Sequence, residues 1–281
     1  MAKILDGKAV AARIRAEVAE GVAGLRERGV PVRLDVVLVG DDPASATYVR
    51  MKQRDCAEVG MESETHRFGA DVSQEELAAL VERLNRDASV SGFFIQLPLP
   101  PGLDALPLIS AVDPAKDVDG LSPLSAGRLA VGLPSLLPST PHGVVQLLSR
   151  SGVEIGAREA VVVGRSNLVG KPLAQLLLRE NATVTVCHSR TKNLPEVARR
   201  AELLVVAAGR REFVGAEYVR EGAVVVDVGI HAREGGGLVG DVRFEEVEPV
   251  ASWISPVPGG VGPMTRAMLL YNTVQAARPT G

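Results

Sequence analysis

One stretch constrains this chain more than any other: a β-branched run that stops on a glycine, Ala160-Val161-Val162-Val163-Gly164. Arg165-Ser166-Asn167-Leu168-Val169 follows, then a second glycine, Gly170, and Leu173, Leu176, Leu177 and Leu178 at helical spacing. Strand, glycine loop and helix in that order form the usual device for holding a phosphate. The glycines let the backbone approach, and the free N–H groups of the new helix point at the anion. The spacing is G-x-S-x-x-x-G and not G-x-G-x-x-G, so the same residues also read as an ordinary strand-to-helix turn. Leu168 stands where the closing glycine of a G-x-S-x-G nucleophile elbow belongs, which argues against a serine hydrolase.

The rest of the chain alternates in the same way. Val10, Ile14, Val18, Val22 and Leu25 predict an amphipathic helix from Asp6 to Gly29, and Leu34 to Gly40 a buried strand. Asp42 and Pro43 read as cap and first helical residue of a helix to about Val59. Met61 to Phe68 is a weaker strand, and Ser73-Gln74-Glu75-Glu76 is a capping box ahead of Leu77, Leu80, Val81 and Leu84. Gly92 to Leu97 is another strand, stopped by prolines. Strand–helix alternation predicts an α/β layer with a mostly parallel sheet.

Between Leu106 and Pro138 the periodicity fades into a proline-rich passage, which places the domain junction near Thr140. Thr140-Pro141 starts a helix. Short strands follow at 160–163, 183–187, 203–207 and 223–228, half or more of a dinucleotide-binding sheet. After Pro256-Val257-Pro258-Gly259-Gly260 a last helix runs from about Met264 to Ala277.

Composition removes several classes of function. The net charge of −3 gives no electrostatic case for nucleic acid or an anionic membrane, and 3% aromatics leaves few stacking platforms for single strands. No apolar run approaches a membrane span, and Lys3, Asp6 and Lys8 interrupt any signal-peptide core. Cys56 and Cys187, alone and far apart, suit a reducing compartment, so the expected location is cytoplasmic. His66, His142, His188 and His231 are scattered without ligand spacing, and no metal site is expected.

Three constellations could carry chemistry. Ser45, Tyr48 and Lys52 lie at i, i+3 and i+7 and share a helix face, where an aromatic ring and an amine could hold a flat substrate and move a proton. The bland alternative is a snorkelling lysine on a solvated helix. Gln96 ends a strand, where open α/β sheets bind ligands, and Asp117 and Asp119 follow in a loop. Those aspartates are turn formers by default and ligand groups by hypothesis. The strand after the glycine loop ends Cys187-His188-Ser189-Arg190-Thr191, with no carboxylate for a ribose 2′-hydroxyl. With Arg165, Ser189 and Arg190 suit a 2′-phosphate, so NADP is expected over NAD.

With those residues assembled, the chain resembles the bifunctional methylenetetrahydrofolate dehydrogenase/methenyltetrahydrofolate cyclohydrolase family. The motifs are Val39 to Ser45 leading to Tyr48-Val-Arg-Met-Lys52, Gln96-Leu-Pro-Leu-Pro100, Pro114 to Gly120, Gly164 to Pro172, Asp227-Val-Gly229 and Pro256 to Thr265. The resemblance implies two α/β domains facing across a cleft, the second a Rossmann-like dinucleotide-binding domain. The first is residues 1–139, with a C-terminal helix at 259–281 packing back on it, and the second is residues 140–258.

It implies oxidation of methylenetetrahydrofolate with NADP and hydrolysis of the methenyl product. Lys52 would be catalytic, supported by Gln96, with Tyr48 packing on the folate and Asp119 holding the pterin. Ser45, Pro258, Gly259 and Gly260 would border the substrate. Gly164, Arg165, Ser166, Gly170, Ser189, Arg190 and Ile230 would line the NADP site. The family is typically homodimeric. Two rivals are a different NADP-linked dehydrogenase with a catalytic lysine and a non-catalytic NADP-binding module; the second leaves Tyr48, Lys52 and Gln96 without a task.

Overall fold

The structure, a computed structural model, describes residues 1–233 and 235–278. The chain divides into two units, each broken in sequence: Met1–Ala12 with Thr140–Ala267, and Arg13–Ser139 with the chain from Met268 onward. It opens with a two-residue strand, β1 (Lys3–Ile4), and a long helix, α1 (Gly7–Glu27). The apolar stripe of α1 is buried, and Gly29, at φ 73°, reverses the chain after it.

Next come β2 (Arg33–Val39), α2 (Pro43–Glu58), β3 (Glu62–Phe68), α3 (Gln74–Arg86) and β4 (Gly92–Ile95). The three strands pair in parallel in the order β3-β2-β4. Local chemistry sets both helix starts. The Asp42 carboxylate accepts the Ser45 N–H at 2.7 Å, and the Ser73 hydroxyl accepts the Glu76 N–H at 3.1 Å. Caps of this kind contribute about 1 kcal/mol each. Leu77, Leu80, Val81 and Leu84 of α3 pack on Val37, Val39, Phe93 and Ile95 to make this unit's core.

The proline-rich passage is not structureless: it holds α4 (Ala105–Ser110) and α5 (Pro123–Ala130). Six and eight residues are too few for a 3.6-residue repeat to show. Yet α5 carries the start signal already used at 42–43, since Ser122 caps the Ser125 N–H and Pro123 opens the helix.

The second half supplies α6 (Ser139–Arg150), β5 (Glu159–Val163), α7 (Gly170–Arg179), β6 (Thr183–Cys187), α8 (Leu194–Ala198), β7 (Leu203–Val206) and β8 (Val224–Asp227). The antiparallel pair β9 (His231–Ala232) and β10 (Leu238–Val239) follows, then α9 (Phe244–Val247), β11 (Trp253–Ile254) and α10 (Val261–Ala277). Six strands form one parallel sheet in the order β1-β11-β8-β7-β5-β6. All four residues of β7 and of β8 are buried, as expected of central strands covered on both faces.

One expected boundary is corrected. Residues 1–12 do not group with 13–139, because β1 is the edge strand of the six-stranded sheet: Lys3 N–H donates to Ser252 O (2.8 Å) and Leu5 N–H to Ile254 O (2.9 Å). Two residues carry no periodicity to announce this. Of the stretch 259–281, positions through Ala267 group with the six-stranded unit and those from Met268 with the other. Positions 279–281 lie outside the described residues, as does 234 within 140–258.

Candidate active site

In the three-stranded unit, α2 carries Lys52 over β4. Phe94 on that strand and Gln96 just past its end lie at i and i+2, and Gln96 N–H still donates to Val37 O at 2.9 Å, so the two share one face. Lys52 meets both: its Nζ sits 3.8 Å from the centre of the Phe94 ring and donates to Gln96 Oε1 at 3.3 Å. Gln96 is oriented from its other end, where its amide donates to Leu97 O at 2.8 Å. Burial pushes the Lys52 amine below its ordinary value, with the charge of Asp119 opposing the shift. Cys56, one turn on, is pushed up to about 12 by burial and stays a protonated thiol. Tyr48 lies one turn before Lys52 with its side chain 44% exposed, so the core does not use the ring. Ser45 is buried at the start of the same helix.

The two aspartates of the loop part company. Asp117 is a scaffold group: it accepts from Leu121 N–H, Ser122 N–H and the Ser125 hydroxyl at 3.2, 2.9 and 2.7 Å. Asp119 stands within electrostatic reach of Lys52. Burial raises its carboxyl, Asp117 adds to the rise, and Lys52 and the Ser139 hydroxyl oppose it. Amine and carboxyl are thus both pushed toward neutrality, a state suited to exchanging protons at neutral pH. Lys116 closes the C-terminal end of α3 instead, donating to Leu84 O (2.8 Å) and Asp87 O (2.6 Å). Asn272 of α10 holds the Asp119 loop by donating to Val118 O and Leu137 O, both at 2.8 Å. Gly120, at φ 64°, lets that loop approach the backbone of Leu137 and Pro138 where a Cβ would collide.

In the six-stranded unit the glycine loop is built for close approach. A Cβ at Gly164 would strike the Ala207 carbonyl, and one at Gly170 the Gly164 carbonyl. In the loop ahead of α7 the Ser166 hydroxyl accepts the Val169 N–H at 3.1 Å; its own proton remains for a ligand. Beside the loop lies a cavity of about 200 Å³ lined by Arg165, His188, Ser189, Ala208, Arg210 and Phe213 among others, without a carboxylate. Arg190 is outside that lining; its N–H donates to His188 Nδ1 at 3.1 Å. Pro258, Gly259 and Gly260 belong to this unit, the Gly259 carbonyl accepting the Lys8 N–H at 3.0 Å, and Ile230 is 42% exposed here.

Two buried carboxylates at the end of β8, the first inside the Asp227-Val-Gly229 motif, have no role assigned from the sequence. Asp227 accepts from the N–H groups of Gly229, Asp241 and Val242 at 2.9, 3.0 and 2.8 Å. Burial and the neighbouring Asp241 push Asp227 up to about 7 against those bonds. Asp241 accepts from the N–H groups of Ala208, Gly209 and Arg210 at 2.6, 2.8 and 2.9 Å and meets His231 Nε2 at 2.7 Å. His66 is also less isolated than its spacing suggests. Asp35, Glu64 and His66 come together across the β2–β3 register, and the Arg33 guanidinium donates to both carboxylates.

A two-unit α/β enzyme emerges, one unit shaped for a dinucleotide and the other carrying a perturbed lysine–carboxylate pair. Comparison with known proteins makes this specific. Residues 5–119 match the family model described as tetrahydrofolate dehydrogenase/cyclohydrolase, catalytic domain, and residues 138–280 match its NAD(P)-binding domain. The chain belongs to that family. It is 77% identical over 278 residues to bifunctional protein FolD 1 of Rubrobacter xylanophilus, covering 99% of this chain and 98% of that one. The crystal structure of the bifunctional FolD enzyme from Campylobacter jejuni superposes with a TM-score of 0.97 at 46% identity, covering 99% of both chains. The Trypanosoma brucei FolD enzyme, solved with NADP cofactor and inhibitor, gives 0.92 at 40% identity, covering 98% of this chain and 97% of that one.

Proposed function

We propose that the chain oxidises 5,10-methylenetetrahydrofolate to the 5,10-methenyl compound with NADP and hydrolyses that product to 10-formyltetrahydrofolate. The observation that carries the reading is the Lys52 amine, half-buried, displaced from its ordinary pKa, and left with a single hydrogen bond beside Asp119. A small hydroxy- or keto-acid dehydrogenase and a non-catalytic NADP-binding module both fall away with the family assignment.

The nucleotide pocket fits NADP. Arg165, Ser189 and His188 offer donors, no carboxylate lines the cavity, and the Gly164–Gly170 loop leaves room for a pyrophosphate on the N-terminus of α7. NADP, when bound, supplies the hydride acceptor. The work of this chain is then alignment and proton handling. Tyr48 stacks on the pterin, and Asp119 accepts from its ring N–H donors. The methenyl carbon is a cation delocalised over N5 and N10, so its formation needs orientation and no base. Hydrolysis does need one: a proton must leave the attacking water and another must reach N5. Neutral Lys52 takes the first and its ammonium delivers the second, with Gln96 fixing the amine in place. A cationic substrate nearby lowers the Lys52 pKa further.

No helix among the described residues is long and apolar enough to cross a membrane. The buried free thiols of Cys56 and Cys187 support a cytoplasmic enzyme, and a homodimer is the expected assembly. The test is spectrophotometric. Methylenetetrahydrofolate and NADP should give NADPH together with methenyl absorbance that then decays. NADPH formation without methenyl product, or no turnover at all, overturns the reading.

A further inference from the structure

Arg165 and Arg190 are the arginines that the sequence nominates for the cofactor; the cavity is lined by Arg165 and by a further one, Arg210. Arg210 reaches the pocket from the loop after β7, forty residues beyond the end of the glycine loop. Its position is fixed from two sides. At the backbone, Ala208, Gly209 and Arg210 direct three successive N–H groups into the carboxylate of Asp241, which is fully buried. At the side chain, the guanidinium lies 4.2 Å from the centre of the Phe213 ring. A stacked guanidinium on a pinned backbone is already ordered before any ligand arrives, so little entropy is lost when it binds.

The charge of that guanidinium is unanswered. Neither Arg165 nor Arg210 makes an ion pair among the described residues, and no carboxylate lines the cavity they share. His188 adds a donor, because its Nδ1 accepts the Arg190 N–H and the ring proton must then sit on Nε2. Two unpaired guanidinium groups and an imidazole N–H around one cavity match a phosphate dianion better than a ribose hydroxyl.

We propose that Arg210 is a specificity-determining residue for the cofactor, seating the phosphate on the adenosine ribose together with Arg165 and His188. Arg190 has at most a supporting part. This rests on the NADP reading above and goes beyond it by naming the residue that makes the choice.

The experiment is calorimetric titration of the full chain with adenosine 2′,5′-bisphosphate and adenosine 5′-monophosphate. Wild type should prefer the bisphosphate; equal affinity would overturn the NADP reading itself, whatever Arg210 does. Given that preference, Arg210→Ala should weaken bisphosphate binding about 10- to 100-fold, as expected for losing a charge-assisted hydrogen bond. Monophosphate binding should change by less than about threefold, and Arg190→Ala should weaken bisphosphate binding by a smaller factor than Arg210→Ala does. Arg210 is exposed, so the variant should fold as wild type does. A wild-type preference ratio in Arg210→Ala, an equal loss for both ligands, or a loss that appears in Arg190→Ala instead would each overturn the proposal.

Discussion

Two regions of this molecule keep ionisable groups out of water, and they treat them in opposite ways. Beside β4, Lys52 has one hydrogen bond, at 3.3 Å, and an aromatic ring. At the end of β8, Asp227 and Asp241 each accept three backbone N–H groups, and Asp241 holds His231 besides. Both regions contain a displaced pKa: Lys52 is lowered, and Asp227 is raised to about 7. A displaced pKa therefore does not by itself distinguish chemistry from scaffold. Saturation does. A carboxylate whose lone pairs are all committed to backbone fixes loops, whereas an amine left with spare protons or a spare lone pair can trade with a substrate.

The largest effect that would test this contrast is at Lys52. Glutamine at that position keeps length and polarity but cannot move a proton. Lys52→Gln should slow hydrolysis of methenyltetrahydrofolate by on the order of 10²–10⁴-fold. Dehydrogenase activity should fall far less, so the methenyl compound accumulates and is seen by its absorbance. Thermal stability should hardly change, since the amine contributes one long hydrogen bond. Wild-type hydrolysis in this variant would remove Lys52 from the chemistry.

Asp241 should respond the other way round. Alanine there strands His231 and three N–H groups in a buried site, which typically costs about 3–5 kcal/mol. The melting temperature of Asp241→Ala should drop by several degrees, and nucleotide affinity should drop with it, because residues 208–210 lose their anchor. A melting temperature matching that of wild type would break the comparison, for it would mean the knot is not a scaffold.

These two regions also differ in how far they can be read from sequence. Lys52, Tyr48 and Gln96 announce themselves by helix spacing and by a strand end, and the motif order around them supports the same reading. The β2, β5, β7 and β8 strands are equally legible because buried parallel strands are nearly continuous apolar runs. What sequence cannot give is pairing at long range. Asp117 and Asp119 look alike in a D-x-D-G loop. Ser122 and Ser125 claim the first, while Asn272, some 150 positions away, shapes the loop that frees the second. Asp241 reaches Arg210 from 31 positions away, and His66 reaches Asp35 only through the β2–β3 register. Elements of two to eight residues, β1 and α5 among them, are too short for a period to emerge.

The smallest expected effect probes how the lysine is kept ready. Phe94 presents its ring face to the Lys52 ammonium at 3.8 Å, an interaction that favours the charged form and is worth about 0.5–2 kcal/mol. Three other groups face the amine: Gln96 by hydrogen bond, Asp119, whose negative form also favours the ammonium, and Cys56, which stays a neutral thiol. Burial opposes the groups that favour the ammonium and wins, leaving the pKa below its ordinary value. Replacing the ring with leucine removes one stabiliser of the charged form while keeping the site apolar, so the Lys52 pKa should fall further. If the neutral amine is the base in hydrolysis, activity rises as pH passes that pKa. In Phe94→Leu this rising limb should move to lower pH by roughly one unit or less. Phe94→Tyr retains a ring and should keep the wild-type limb. The measurement is the pH profile of kcat for hydrolysis from the methenyl substrate, with KM followed in parallel. A limb that moves to higher pH in the leucine variant, or stays fixed in it, would show that the ring only fills space and that Gln96 and Asp119 alone set the state of Lys52.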